Sequence, residues 1–280
     1  MSYKTILAHV DDSISLAPRI ELACRIAVQE NAHLVGAATT GISQFIYQSA
    51  VVDMTGDYIT GYIETLRQRA AAGLKSFDEV ARRVGVSSVE QRLVDDETAG
   101  GISLQARYSD LVVLGQTDPA EPSVVVGNDF PEFVVLHSGC PVLIVPYAGQ
   151  FDNFGEKVLI AWDGSLEAKR AVHDAIPLLK RAVLVEVAVF NPSERPDTHG
   201  AQPGADIALY LARHDIRVDV RESVVPHEEI GAALLSRLAD TGASLLVMGC
   251  FGHSRLREIM LGGVSRTILT SMTVPVLMSH

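Results

Sequence analysis

The segment Gly249-Cys-Phe-Gly-His-Ser-Arg-Leu-Arg-Glu-Ile-Met-Leu-Gly-Gly263 sets Gly249 and Gly252 three apart and closes on the pair Gly262-Gly263. Glycine costs backbone entropy, so its repetition at an element junction points to tight turning or to close approach of something to the main chain. Val264 and Ser265 follow, and then RTILTS, in which Ile268 and Leu269 read as apolar helix positions. The first turn of such a helix presents unpaired N–H groups, an anion site that needs no side-chain charge, and Ser265 would add a hydroxyl. Phosphate binding and close packing of the last helix both fit this spacing. Spacing alone does not separate them.

The other residues with chemical potential lie after apolar strand-like runs. Asp11 and Asp163 each end such a run, in LAHVDDS and LIAWDGS, and Ser13 and Ser165 follow two residues later. Strand alternation points His9 and Asp11 to one side, which reads as a packed, hydrogen-bonded histidine rather than a catalytic base. Ser13 and Ser165 lack GxSxG and a positioned base, so they read as helix N-caps. Cys250 and His253 sit within the glycine segment; a buried thiol and a loop histidine are their ordinary readings. There is no GxxxxGK[ST] and no HExxH, and the turns after the strands, DDSIS and DGSLE, are not GxGxxG. No metal site is expected. No general base aligned with a water is encoded either, so the reading leans away from an enzyme.

The elements that must position these groups occur twice. Asp11 falls on Asp163 and Ser13 on Ser165 at one constant offset; DLVVLG (110–115) matches SLLVMG (244–249), and CPVLIVP (140–146) matches VPVLMSH (274–280). Two repeats in the same order imply duplicated domains, 1–148 and 156–280, joined at AGQFDNFGE (148–156). Each repeat alternates apolar strands with amphipathic helices. In the first, Ile20, Ala23, Cys24, Ala27 and Val28 mark one helix face, with Pro18 in its first turn; in the second, Ala168, Ala171, Val172, Ala175 and Ile176 do the same, and Pro177 bends or stops that helix. Continuous apolar strands between helices mean a parallel sheet covered on both faces, with ligands at the carboxyl ends of the strands. The largest departure between the copies is FIYQSAVVDMTGDYITGYIETL (45–66), read equally as a lid and as packing.

Composition narrows the classes of function. The 280 residues are 48% hydrophobic, with 23 Lys and Arg against 34 Asp and Glu, a net charge of -11. Non-specific nucleic-acid binding is excluded for want of concentrated positive charge, apart from a local patch at Arg255, Arg257 and Arg266. No apolar run is long enough for a membrane span. MSYKTILAHVDDS reads as a first strand and not a leader, and three isolated cysteines fit a reducing compartment, so a cytoplasmic location is expected.

VDDS at 10–13, WDGS at 162–165 and, above all, G-x2-G-x9-G across Gly249, Gly252 and Gly262 resemble the universal stress protein family in a tandem two-domain form. The resemblance covers essentially the whole chain. It implies two Rossmann-like α/β domains of the adenine nucleotide alpha hydrolase-like type, each a five-stranded parallel sheet of order 3-2-1-4-5. It also implies pairing of domains through edge strands, within one chain or in a homodimer. Some members bind ATP or AMP, with Mg2+ accompanying ATP, and others bind no nucleotide. Carried onto this sequence, Asp163 would lie beside adenine and ribose, Val187 and Val189 near the base, and Gly249, Gly252, Gly262, Gly263, Val264 and Ser265 around ribose and phosphates. Two departures matter. Gly263 stands where a hydroxyl residue usually follows the third glycine. In the first repeat, Asp118 and Asn128 replace the second and third glycines, and Asp118 would repel phosphate. The expectation is a regulatory adenine-nucleotide site in the second repeat only. The rival expectations are a nucleotide-independent scaffold and a weak Mg2+-dependent ATPase or autophosphorylating protein.

Overall fold

The computed structural model describes residues 2–43, 56–123, 125–194, 202–250 and 263–280. It divides into two compact units, Ser2–Tyr147 and Ala148–His280. The first unit runs β1 (Thr5–Val10), α1 (Leu16–Glu30), β2 (His33–Thr39), α2 (Gly56–Val84), β3 (Val89–Val94), α3 (Thr98–Ala106), β4 (Leu111–Gly115), α4 (Phe130–His137) and β5 (Val142–Val145). The second runs β6 (Lys157–Trp162), α5 (Leu166–Leu179), β7 (Leu184–Phe190), α6 (Ala205–Ala212), β8 (Asp219–Ser223), α7 (Ile230–Thr241), β9 (Leu245–Gly249), α8 (Gly263–Ser271) and β10 (Val276–Ser279).

Within each unit the strand order is the one expected: β3-β2-β1-β4-β5 in the first and β8-β7-β6-β9-β10 in the second. Ile6 lies opposite both Leu34 and Leu111, and Val158 opposite both Val185 and Leu245, all in parallel pairing. This register brings the carboxyl ends of β1 and β4 side by side, and likewise those of β6 and β9. Central strands are mostly apolar because helices cover both of their faces, His9 on β1 being a buried exception, and Ile6, Leu7, Leu111 and Leu114 have no exposed surface. At one edge of each unit, β3 and β8 are half-buried or exposed along their length.

The helices depart from the sequence reading in three places. α8 begins at Gly263, before RTILTS, so Gly263, Val264 and Ser265 form its first turn. Pro177 does not stop α5 at once; the helix continues to Leu179, ending at the Lys180 cap. On α1, Ile20, Ala23, Cys24 and Ala27 are buried as expected, Val28 lies 48% exposed, and Leu16, Arg19 and Ile26 are buried as well. An arginine among them is the first sign that the crevice above β1 has been rebuilt.

Candidate functional site

In the first repeat, the end of β1 is crowded with charge. Arg19 reaches from α1 and donates through Nη2 to Asp11 Oδ1 at 2.7 Å; its side chain is almost wholly buried. The Ser13 hydroxyl donates to the same oxygen at 2.7 Å, and the Ser13 amide does so at 3.1 Å. Ser13 is therefore a partner of Asp11 and not the N-cap expected of it; the cap position of α1 belongs to Ser15, whose side chain makes no capping bond. Burial alone would raise the Asp11 carboxyl, but the Arg19 charge, His9 and these hydrogen bonds outweigh it and hold it well below the usual carboxylate range.

His9 sits behind this pair. Its Nδ1 lies 3.7 Å from Asp11 Oδ2, and its ring packs 4.6 Å from that of Phe130. Burial lowers its pKa to about 4, Asp11 opposing and Arg19 reinforcing the shift, so the imidazole is neutral near pH 7. That agrees with a packed core histidine and supplies no proton acceptor at an open surface. Arg19 also needs the glycine at the end of β4. A Cβ built on Gly115 would stand 2.2 Å from Arg19 Nη1, so no other residue leaves room for the guanidinium where it lies.

The loop after β4 closes over this pair. Both Glu121 carboxylate oxygens accept from the Ile14 amide at 3.2 Å, just ahead of α1. Asp118 accepts from the Ala120 amide, and Thr117 donates to the Asn128 carbonyl. Further along, the Thr98 hydroxyl donates to the Val125 carbonyl at 2.7 Å, and the Val125 side chain packs on Gly41. A cavity of about 190 Å³ remains between the end of β1, the head of α1 and this loop.

The second repeat solves the same junction differently. Asp163 Oδ1 accepts from the Ser165 amide at 3.0 Å, and Ser165 caps α5 as expected, its hydroxyl accepting from the Ala168 amide. Gly164 between them has φ +74°, which Asp12, its counterpart, does not share. Ala171 stands where Arg19 stands in the first repeat. No guanidinium intervenes, and α5 comes down onto β9: a Cβ on Gly249 would lie 2.4 Å from the Ala168 amide nitrogen. Close packing therefore accounts for Gly249.

The remaining expected site residues are distributed as follows. Gly263 is exposed, and among the described residues nothing beyond its own helix and chain neighbours lies within 4 Å of where its Cβ would stand. Val264 is half-buried and Ser265 buried in the same helical turn. Val187 and Val189 on β7 have no exposed surface at all. Gly252, Gly262, His253, Arg255 and Arg257 lie outside the described residues, as do residues 45–54, so the reading of 45–66 as a lid or as packing falls largely outside them too. Cys250 is buried, its amide donating to the Ser279 carbonyl at 3.1 Å. Among the described residues, no three or more His, Cys, Asp or Glu side chains are grouped to hold a metal ion, and no helix is long and apolar enough to cross a membrane.

Sequence reasoning missed Arg19, Glu121 and Val125. The signal for Arg19 was present: it lies four residues before Ala23 and seven before Ile26, on the buried stripe of an otherwise apolar face.

Comparison with known proteins adds the lineage. The family model described as "Universal stress protein family" matches residues 155–280. A universal stress protein of Synechocystis is 30% identical over 139 residues; that match takes in 49% of this chain and 46% of the relative, so the shared part is about half of each. Among solved structures, a universal stress protein from Archaeoglobus fulgidus superposes with TM-score 0.72 at 16% identity, covering 98% of this chain and 97% of its own. A functionally unknown protein from Pseudomonas aeruginosa superposes with TM-score 0.61, also at 16% identity, over 99% of this chain and 92% of its own. At such identities the superpositions speak for the fold, and they extend it over both repeats.

Proposed function

Because the chain belongs to the universal stress protein family through its second repeat, we propose that this repeat binds an adenine nucleotide, ATP or AMP, as a regulatory ligand without turnover. The observation that carries the reading is the start of α8 at Gly263, on the connection that follows β9, with open space beside that residue among the described residues. The first-turn amides of Gly263, Val264 and Ser265 are then the natural partners of a phosphate group. β9 neighbours β6, so Asp163 follows the adjacent strand end, where its carboxylate suits a ribose hydroxyl. Gly252 and Gly262 complete the proposed cradle by their spacing. Mg2+ would come with ATP, held by its phosphates and not by a dedicated cage of side chains.

Calorimetry with ATP and with AMP tests this. Wild type is expected to release or take up heat on binding, and Gly252→Asp, which sets a carboxylate against the phosphates, to lose at least tenfold in affinity. Equal heats for the two proteins would remove the site. Phosphate release above background that depends on Asp163 and Mg2+ would instead support the ATPase reading.

One observation favours the scaffold alternative, in which neither repeat takes a nucleotide. Val187 and Val189, the residues meant to meet the base, are fully buried. If no nucleotide binds to wild type, the folded tandem is left with a role in contacting other proteins.

A further inference from the structure

The crevice of the first repeat has charge of the wrong sign for a phosphate and a shape too closed for a base, yet among the described residues it is neither filled nor internally satisfied. Asp11 and Arg19 cancel one another at its floor. What remains of the charged lining is Asp12, Asp118 and Glu121 against Arg69 alone, an excess of negative charge. On the side toward β2, Val125 is held over Gly41 by its packing and by the bond to Thr98, leaving there only about 30 Å³. A planar bicyclic base does not fit through that gap, whereas the main chamber of about 190 Å³ suits a compact molecule.

Two buried polar atoms of its lining residues lack a hydrogen-bond partner among the described residues: Arg19 Nε, and His9 Nδ1, which stands 3.7 Å from Asp11 Oδ2. Both side chains are more than nine-tenths buried. Buried polar groups are nearly always hydrogen-bonded, and unpaired ones around a cavity mark a place where a polar guest belongs. The neutral state of the His9 ring suits a hydroxyl, which can donate or accept as the ring tautomer requires.

We propose that the first repeat binds a small, phosphate-free amine carrying hydroxyl groups, its ammonium facing Asp12, Asp118 and Glu121 and its hydroxyls directed toward His9 and Arg19. The pinned loop makes the site largely pre-formed, so binding requires little rearrangement. This site is separate from the nucleotide site proposed for the second repeat and stands without it.

An isosteric series tests the charge preference directly. Serinol and glycerol differ only in an ammonium replacing the central hydroxyl, and glycerol 2-phosphate reverses the sign. In titrations of the full chain at low ionic strength and pH 7.5, followed by the Ile14 and Thr117 amide resonances, serinol is expected to bind at least tenfold tighter than glycerol, and glycerol 2-phosphate more weakly than either. The Asp118→Asn and Glu121→Gln double variant, which keeps the acceptor for Ile14, is expected to lose at least fivefold for serinol with glycerol unchanged. Asp12→Asn, at an exposed position, gives the same readout with less risk to the fold. The proposal is overturned if serinol binds no tighter than glycerol or not at all, if the phosphate binds best, or if both variants retain wild-type serinol affinity.

Discussion

Two aspartates at equivalent strand ends meet opposite surroundings in this molecule. Asp11 is fixed by a buried arginine and a serine hydroxyl, beneath a loop that supplies further carboxylates; Asp163 has a serine amide, a left-handed glycine and no arginine at the corresponding helix position. Strand order and register are shared, and so is the glycine that ends the fourth strand of each repeat. Yet Gly115 makes room for a guanidinium and Gly249 for a helix backbone. Fold sets where a crevice lies, and a few side chains on its rim set what it will accept. The exchange of Arg19 for Ala171 is one of the differences that the described residues show at the head of the two crevices.

Four experiments break or sharpen that comparison, each read on separate unfolding transitions of the two repeats because the chain holds two compact units. The largest effect is expected from Arg19→Met. It leaves Asp11 charged and mostly buried without its partner, a loss of about 3–5 kcal/mol, and Asp11→Asn in the same chain should recover part of it. Urea unfolding of the double-mutant set decides this; additive single effects would mean that the two side chains do not act as a pair.

Acid should come next. The folded-state pKa of His9 is depressed to about 4 from 6.5, so the unfolded chain takes up a proton that the folded chain refuses. The contribution is fully present above the unfolded value and is lost as pH falls from 6.5 toward 4, amounting to about 3 kcal/mol at most. Asp11, held low, acts in the same direction: its contribution is present above the ordinary carboxylate pKa and fades as pH falls below it. Ala161 occupies the position of His9 in the second repeat. The first repeat should therefore lose stability more steeply than the second across this window, and His9→Gln should flatten its profile. Parallel profiles in wild type would contradict this account.

The paired substitutions Gly249→Ala and Gly115→Ala probe the two close approaches. The first forces a methyl onto helix backbone, the second onto a guanidinium that can swing aside. Overpacking costs about 1–3 kcal/mol, and Gly249→Ala should fall at the upper end with Gly115→Ala below it. A reversed ranking in thermal unfolding would show that Arg19 is held more rigidly than the helix. Smallest in stability is Gly263→Ser, within about 0.5 kcal/mol because its surroundings are open. If the nucleotide reading is right, the restored hydroxyl should tighten AMP binding several-fold, as one added hydrogen bond of about 1 kcal/mol implies. Unchanged calorimetric affinity would detach that residue from the site.

The repeat, the strand sequence and the sheet order were legible because continuous apolar runs such as LVVLG have few other destinations in a chain of this composition. The positions of Asp11 and Asp163 at strand ends followed from the same pattern. What surrounds them did not. Arg19 lies on the buried stripe by its spacing to Ala23 and Ile26, but its partner Asp11 and the room left by Gly115 come from the packing of α1 over the sheet. Glu121 lies 107 residues from the amide it holds, and Val125 27 residues from Thr98; no local pattern reports such contacts. The start of α8 was placed too late because glycine is a poor helix former, whereas first-turn amides need no side chain to hold them.

The bond from Ile14 to Glu121 has a consequence for the chemistry of the first crevice. A carboxylate tethered to the same chain acts as a permanent competitor at the head of α1, with an effective concentration on the order of millimolar or above. Any soluble anion seeking those amides has to displace an occupant that cannot diffuse away. The first repeat thus carries its own resident inhibitor of anion binding, and selectivity there is written into chain connectivity before any solute arrives.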